Sequence, residues 1–197
     1  KIDNYIKTAK LNFPSLDSLI LPYNRGVFIN EEHYLPLMNL LNSQEIKSLI
    51  DSNSKLVWGN EAEVISGYKA IDNPLRIRQI YLVSSIPAIT GGMIQTPKAV
   101  VSDFGSTNAG DWVVNLDMNK EGRKKWSQFT GANIDRQVAI VLDDKVFMTP
   151  YIRDKIATGS TQISGFSNMQ EAKDIASVLK AGELPAPINI VQTNYIG

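Results

Sequence analysis

The sequence contains no cysteine. Thiol nucleophiles, thiolate metal sites and structural disulfides are therefore excluded together, and stability must come from packing and hydrogen bonding. Histidine occurs once, at His33, too few for an all-histidine metal site. The 20 Lys and Arg residues are balanced by 20 Asp and Glu, so no global field gathers phosphate backbones or anionic lipid. Nucleic acid is accordingly not an expected partner. Aromatic residues make up 8% of the chain and are not interleaved with basic ones as an RNA-binding sheet requires. No apolar run of about 18 residues occurs, so no bilayer-spanning helix is expected, and no basic segment followed by an apolar stretch marks a signal peptide. The chain opens at Lys1 rather than methionine, so a segment upstream is expected in the full protein.

What is present suffices for a packed core. The 197 residues are 43% apolar and 20% charged, the texture of a folded domain. Alternation predicts a strand over residues 8–13, stopped by Pro14. Leu35, Met38 and Leu41 fall three apart and predict a helix starting near Pro36; Ser43 then caps a second short helix carrying Ile46, Leu49 and Ile50. Strands are expected over 56–58, 63–70 and 77–83, with turns at Gly59-Asn60 and Asp72-Asn73-Pro74, and Gly91-Gly92 breaks the chain.

The pattern is cleaner beyond Lys98. A hairpin is expected from residues 99–104 and 112–118. A helix follows over 120–130, capped by Asn119, with Gly122, Trp126 and Phe129 on the face that meets the sheet. An apolar, central strand over 137–142 turns at Asp143-Asp144 into a partner over 145–152. Ser167 and Gln170 predict a capping box before a helix whose Ala172, Ile175, Ala176 and Leu179 follow helical spacing; Gly182 ends it and Pro185 forbids its renewal. A last strand is expected over 188–195. The fold class is therefore α+β, a mixed or antiparallel sheet with helices on one face and a β-α-β-β-α core in the C-terminal half.

Chemistry-bearing groups are sparse, and a non-enzymatic domain without cofactor or metal is expected. His33 stands in Glu31-Glu32-His33-Tyr34 near a helix start, as a surface residue does. Glu61 and Glu63 share one face of an alternating strand, which is most simply solvated. Asp143-Asp144 is explained by turn geometry. The glycine-bearing loop 158–165 lacks the lysine of a P-loop and the third glycine of a dinucleotide fingerprint. Arg123-Lys124-Lys125 reads as the wet face of an amphipathic helix. A hydrolase built on Glu61, Glu63 or His33 lacks partners for them. Short strands, polar loops and exposed apolar side chains instead suit the binding of an extended chain, by strand addition or in a groove.

Five stretches in order carry a family resemblance: residues 8–13 (TAKLNF), 80–94 (IYLVSSIPAITGGMI), 113–130, 139–152 (AIVLDDKVFMTPYI) and 159–191, the last with its EA-K-A-LKAG-LPAP pattern. Together they resemble the periplasmic, P1 head region of SecD, the protein-export membrane protein, or of a fused SecDF. Asp143-Asp144 departs from that family's Asp-Gly, and Glu183 stands where it commonly has a small residue. The resemblance implies a head domain over residues 14–187, with residues 1–13 and 188–197 belonging to a ferredoxin-like base. It implies a multi-pass protein at the periplasmic face of the bacterial inner membrane. SecF, the SecYEG channel and unfolded preprotein are the implied partners, and the proton gradient would drive translocation through helices absent from this chain. Phe13 and Pro14 at one junction, and Leu184, Pro185 and Pro187 at the other, are the expected hinge between head and base. A periplasmic ligand-sensing or scaffold domain is the alternative.

Overall fold

The structure, a computed structural model, describes residues 20–23, 26–65, 74–103, 109–181 and 187–190. The expected strand at 8–13 and the expected helix stop at Gly182 lie outside these residues. The described residues fall into two compact units, one up to Ser85 and one from Ile86 onward.

In the first unit the ten-residue β5 (Leu75–Ser84) is the spine. Strand β2 (Gly26–Asn30) pairs along one edge of it, and β3 (Ser54–Gly59) and β4 (Glu63–Ile65) along the other; β1 (Ile20–Tyr23) adds to β2. All these ladders are antiparallel. Between β2 and β3, the Asn30 side chain accepts from the Glu32 amide and starts a 3-10 turn that leads into helix α1 (Tyr34–Leu41). Pro36 sits in its first turn, where a missing N–H costs nothing. Ser43 caps α2 (Gln44–Lys47) by accepting from the Ile46 amide.

The expected inward face of α1 is corrected in one respect. Leu35 is 62% exposed, and Leu37 and Leu41 are the buried pair. Leu35 and Leu37 project roughly 200° apart on a helix, so only one can meet the sheet. Leu37, Leu41 and Ile46 pack with Ile29 and Trp58. Phe28, next in sequence to Ile29, belongs to a separate cluster with Ile65 and Ile77, because successive strand residues point to opposite faces.

Tyr81 of β5 donates its hydroxyl proton to the Gln79 amide oxygen at 2.6 Å. Burial, reinforced by the nearby Glu63 carboxylate, pushes its pKa up to about 12. Below pH 10 the phenol is neutral in folded and unfolded chains alike. Between about pH 10 and 12 the unfolded chain ionises first, so stability should fall by an amount on the order of 1 to 3 kcal/mol. Tyr81→Phe should lack this alkaline loss in urea titrations at graded pH; an identical loss in the variant would place its source elsewhere.

The second unit holds two antiparallel ladders. One has the order β11 (Ser160–Phe166), β8 (Trp112–Met118), β7 (Ile94–Val101). The other joins β10 (Lys145–Met148), β9 (Val138–Leu142), β12 (Pro187–Ile190) and β6 (Ile89–Thr90). Helix α3 (Lys120–Ala132) begins as the sequence predicts, the Asn119 side chain accepting from the Gly122 amide at 2.8 Å. Helix α4 (Met169–Ala181) buries the expected Ala172, Ile175, Ala176 and Leu179. Its cap lies one residue later than expected. Asn168 accepts from the Glu171 amide, and the Glu171 carboxylate accepts from the Ser167 amide at 2.8 Å. A charged acceptor at the helix start outcompetes the neutral Gln170 for that role.

Asp143 and Asp144 close the β9–β10 hairpin with φ of 50° and 56°, the left-handed pair that a two-residue turn of this twist demands. Strand β10 stops at Met148 after a bulge, and the expected length to Ile152 is recovered only as a bridge between Gln137 and Tyr151. The expected hairpin partner of β8 starts earlier, at Ile94.

The largest difference concerns the glycine-bearing segment expected to be a loop. From Ser160 it is the strand β11, so the expected β-α-β-β-α run contains one strand more. Thr161 and Ile163 are buried while Ser160 and Gln162 are exposed, which is the alternation of a half-buried strand. Gly159, at φ +80°, turns the chain into it under the Arg123 side chain.

Candidate functional site

Between β11 and the segment 150–156, the second unit opens into a cleft of about 510 Å³. Its floor is the apolar core: Leu116 and Met118 of β8, Val138 and Ile140 of β9, and Leu179 of α4. Trp126 of α3 lines it as well, its ring stacked on Phe129 at 5.5 Å. Asp111, Arg153 and Asp154 bring charges of both signs to the lining.

One wall is a strand edge. β11 pairs with β8 alone among the described residues. The Met118 amide donates to the Gly159 carbonyl at 2.8 Å, which sets the phase of that ladder. Thr161 and Ile163 therefore turn their backbone groups toward β8, and Ser160 and Gln162 turn theirs outward. A bulge follows at Ser164 and Gly165, the latter at φ +103°. The opposite wall continues the β9–β10 ladder irregularly: the Val138 amide donates to Pro150, Ile152 to Arg136, and Asp135 to Ile152.

Two polar contacts tie these walls to α3. The Trp126 indole N–H donates to Thr161 Oγ1 at 2.8 Å, and the Ile156 amide donates to Thr130 Oγ1 at 2.9 Å. The Thr130 hydroxyl donates in turn to the Trp126 carbonyl at 2.8 Å. An apolar floor beside a strand edge whose Gln162 backbone groups and Ser160 carbonyl face away from β8 can hold an extended chain, although the Ser160 amide already donates to Thr158 Oγ1 at 3.4 Å.

Of the residues weighed for chemistry in the sequence, only the glycine-bearing segment reaches this cleft, and it does so as the strand β11. His33 ends the 3-10 turn of the first unit and is half-buried rather than exposed. Glu61 and Glu63 are exposed, and no cluster of three or more metal-ligating side chains occurs among the described residues. Arg123, Lys124 and Lys125 face solvent on α3, Lys125 pairing with Glu121 at 2.9 Å. Phe13, Pro14, Leu184 and Pro185 lie outside the described residues; Pro187 is the first residue of β12, opposite Thr90. The candidate feature that residue-by-residue reading missed is the β11 edge, signalled only by the alternation of Ser160 to Ile163.

Comparison with known proteins decides the family. The model of the SecDF P1 head subdomain matches residues 68–186, more than half of the chain. The chain belongs to the SecDF P1 head family. Protein translocase subunit SecD of Calditerrivibrio nitroreducens is 32% identical over 166 residues, covering 83% of this chain and 30% of that protein. Protein translocase subunit SecDF of Thermus thermophilus is 38% identical over 111 residues, covering 56% and 14%. A solved structure of SecDF, described as a membrane component that enhances protein export, is 36% identical with a TM-score of 0.42, covering 57% of this chain and 49% of that one. This P1 head thus spans about a third or less of the length of these SecD relatives, of which 14% to 35% is covered. No helix among the described residues is long and apolar enough to cross a membrane. Residues 111–165, which contribute most of the cleft, fall inside the matched region.

Proposed function

We propose that this P1 head handles polypeptide without chemistry, holding an extended stretch of preprotein in the cleft beside β11. The supporting observation is the apolar cleft of about 510 Å³ flanked by an outward-facing strand edge. The backbone of a passing chain gains hydrogen bonds from Gln162 and from the Ser160 carbonyl, and its alternate side chains enter the apolar floor. Main-chain recognition of this kind is tolerant of sequence, as export of many substrates requires. In the full protein the domain would act at the periplasmic face of the bacterial inner membrane. SecF and the SecYEG channel would be its partners, in translocation driven by the proton gradient.

Photocrosslinking in the full-length protein tests this. A photoreactive residue at Gln162 or Tyr151, both exposed at the cleft, should capture a stalled exported chain; one at Lys124, on the outer face of α3, should not. Equal capture from all three positions, or capture of other proteins only, would sink the reading. A small-ligand sensor is the second reading, because the cleft volume also suits a compact ligand. It requires a saturable rise in melting temperature with such a ligand and no crosslink to exported chain.

A further inference from the structure

We propose that helix α3 sets the width of the cleft, holding one wall through Trp126 and the other through Thr130, and thereby selects the size of side chain admitted. The inference rests on the reading of the cleft as a binding site for extended chain. Among the described residues, β11 forms its ladder with β8 and the segment 150–156 bonds to residues 135–138, with no backbone bond joining wall to wall. Their separation is therefore not set by strand pairing. It is set by a third element that touches both.

That element is α3. Trp126, 6% exposed, reaches Thr161 in β11, itself 8% exposed. One turn later Thr130, with no exposure, receives the Ile156 amide of the opposite wall. The Thr130 hydroxyl is used twice, since it also donates to the Trp126 carbonyl; its orientation is thus fixed by its own helix. The helix is closely seated at its first turn. At Gly122 an added Cβ would lie 2.9 Å from Met93 Cβ and 3.0 Å from the Met93 carbonyl, so α3 approaches there more closely than a side chain would allow. Each link is a single hydrogen bond, the one to Thr161 buried and the one from Ile156 partly buried, and loss of either frees one wall while the other stays pinned.

Thr130→Val and Thr161→Val remove the hydroxyls at nearly constant shape, and Thr130→Ser and Thr161→Ser retain them. In the full-length protein, hydrogen exchange should accelerate over residues 150–158 in Thr130→Val and over residues 160–166 in Thr161→Val, each variant loosening its own wall. Binding is read with two apolar peptides differing only by Ala or Phe at the central position. Either valine variant should shift the Phe-to-Ala affinity ratio toward Phe by about five- to tenfold, and the serine variants should restore the parent ratio. Loosening of both walls by each variant, or equal weakening of both peptides, would overturn the inference, since a merely structural role predicts those results. If the parent protein binds neither peptide, the binding reading falls by itself, and selective loosening of the walls alone decides whether α3 sets the width.

Discussion

Replacing Arg78 by alanine should lower the stability of the first unit by about 3 to 5 kcal/mol, read from urea unfolding. Four of the five N–H groups of the Arg78 guanidinium donate hydrogen bonds. Its Nε and Nη2 donate to the two Glu31 carboxylate oxygens at 2.7 and 2.6 Å, and Nη1 donates to the carbonyls of Gly59 and Asn60 at 2.7 and 2.8 Å. Its face lies 4.4 Å from the centre of the Tyr34 ring, which meets Trp58 edge-on at 4.9 Å. The hydrogen bond to Glu31 raises the Arg78 pKa above its ordinary value, against the lowering effect of burial. Side-chain exposures of 10% for Arg78 and 25% for Glu31 leave little solvent to screen the pair. Truncation strands the Glu31 carboxylate and two carbonyls, so the loss exceeds that of a surface ion pair, which is about 0 to 1 kcal/mol. Arg78→Lys keeps the charge but not the two-pronged geometry, and should recover only part of the loss. A loss below about 1 kcal/mol for Arg78→Ala would mean that the network is solvated.

The second large effect is expected in the P1 head core. Trp126→Ala should cost about 3 to 5 kcal/mol, the range for deleting a buried aromatic. Trp126 is 6% exposed, stacks on Phe129 and packs within the main cluster of the unit. Trp126→Phe retains most of the ring and loses the bond to Thr161, leaving that hydroxyl without its donor; about 1 to 2 kcal/mol should be lost. The contrast separates packing from hydrogen bonding. Chemical denaturation followed by circular dichroism measures both, and equal losses for the two variants would assign the whole effect to the indole N–H.

The parts of the fold that were legible in the sequence are those governed by neighbours along the chain. Asn119 before an amphipathic stretch announces α3, the spacing of Ala172 to Leu179 announces the buried face of α4, and Asp143-Asp144 between apolar runs announces a two-residue hairpin. The errors share a physical origin. The residue at the capping position of α4, and the choice between Leu35 and Leu37 on α1, are settled by competition between adjacent candidates of similar propensity. β11 was obscured because Gly159 precedes and Gly165 interrupts a strand rich in Ser, Thr and Gln, residues as suited to a loop.

The candidate site was legible only as a kind of surface. Short strands and exposed apolar groups suggested extended-chain binding, but nothing in the local pattern places β11 at a sheet edge or brings residues 150–156 opposite it. Trp126 and Thr161 are separated by 35 positions, Thr130 and Ile156 by 26, and Arg78 and Glu31 by 47. Such contacts carry no periodicity that a local reading can detect.

The sequence by itself determined the α+β class, the caps and turns that delimit most elements, and, through its ordered motifs, membership of the P1 head family. Those follow from short-range sterics, hydrophobic period and side-chain competition for backbone hydrogen bonds. Only the tertiary structure decided that the glycine-bearing segment is an edge strand, that a cleft opens beside it, and that α3 bonds to both of its walls. An edge is defined by the absence of a neighbour and a cleft by the distance between elements, and both depend on where the whole chain packs rather than on any one stretch of it.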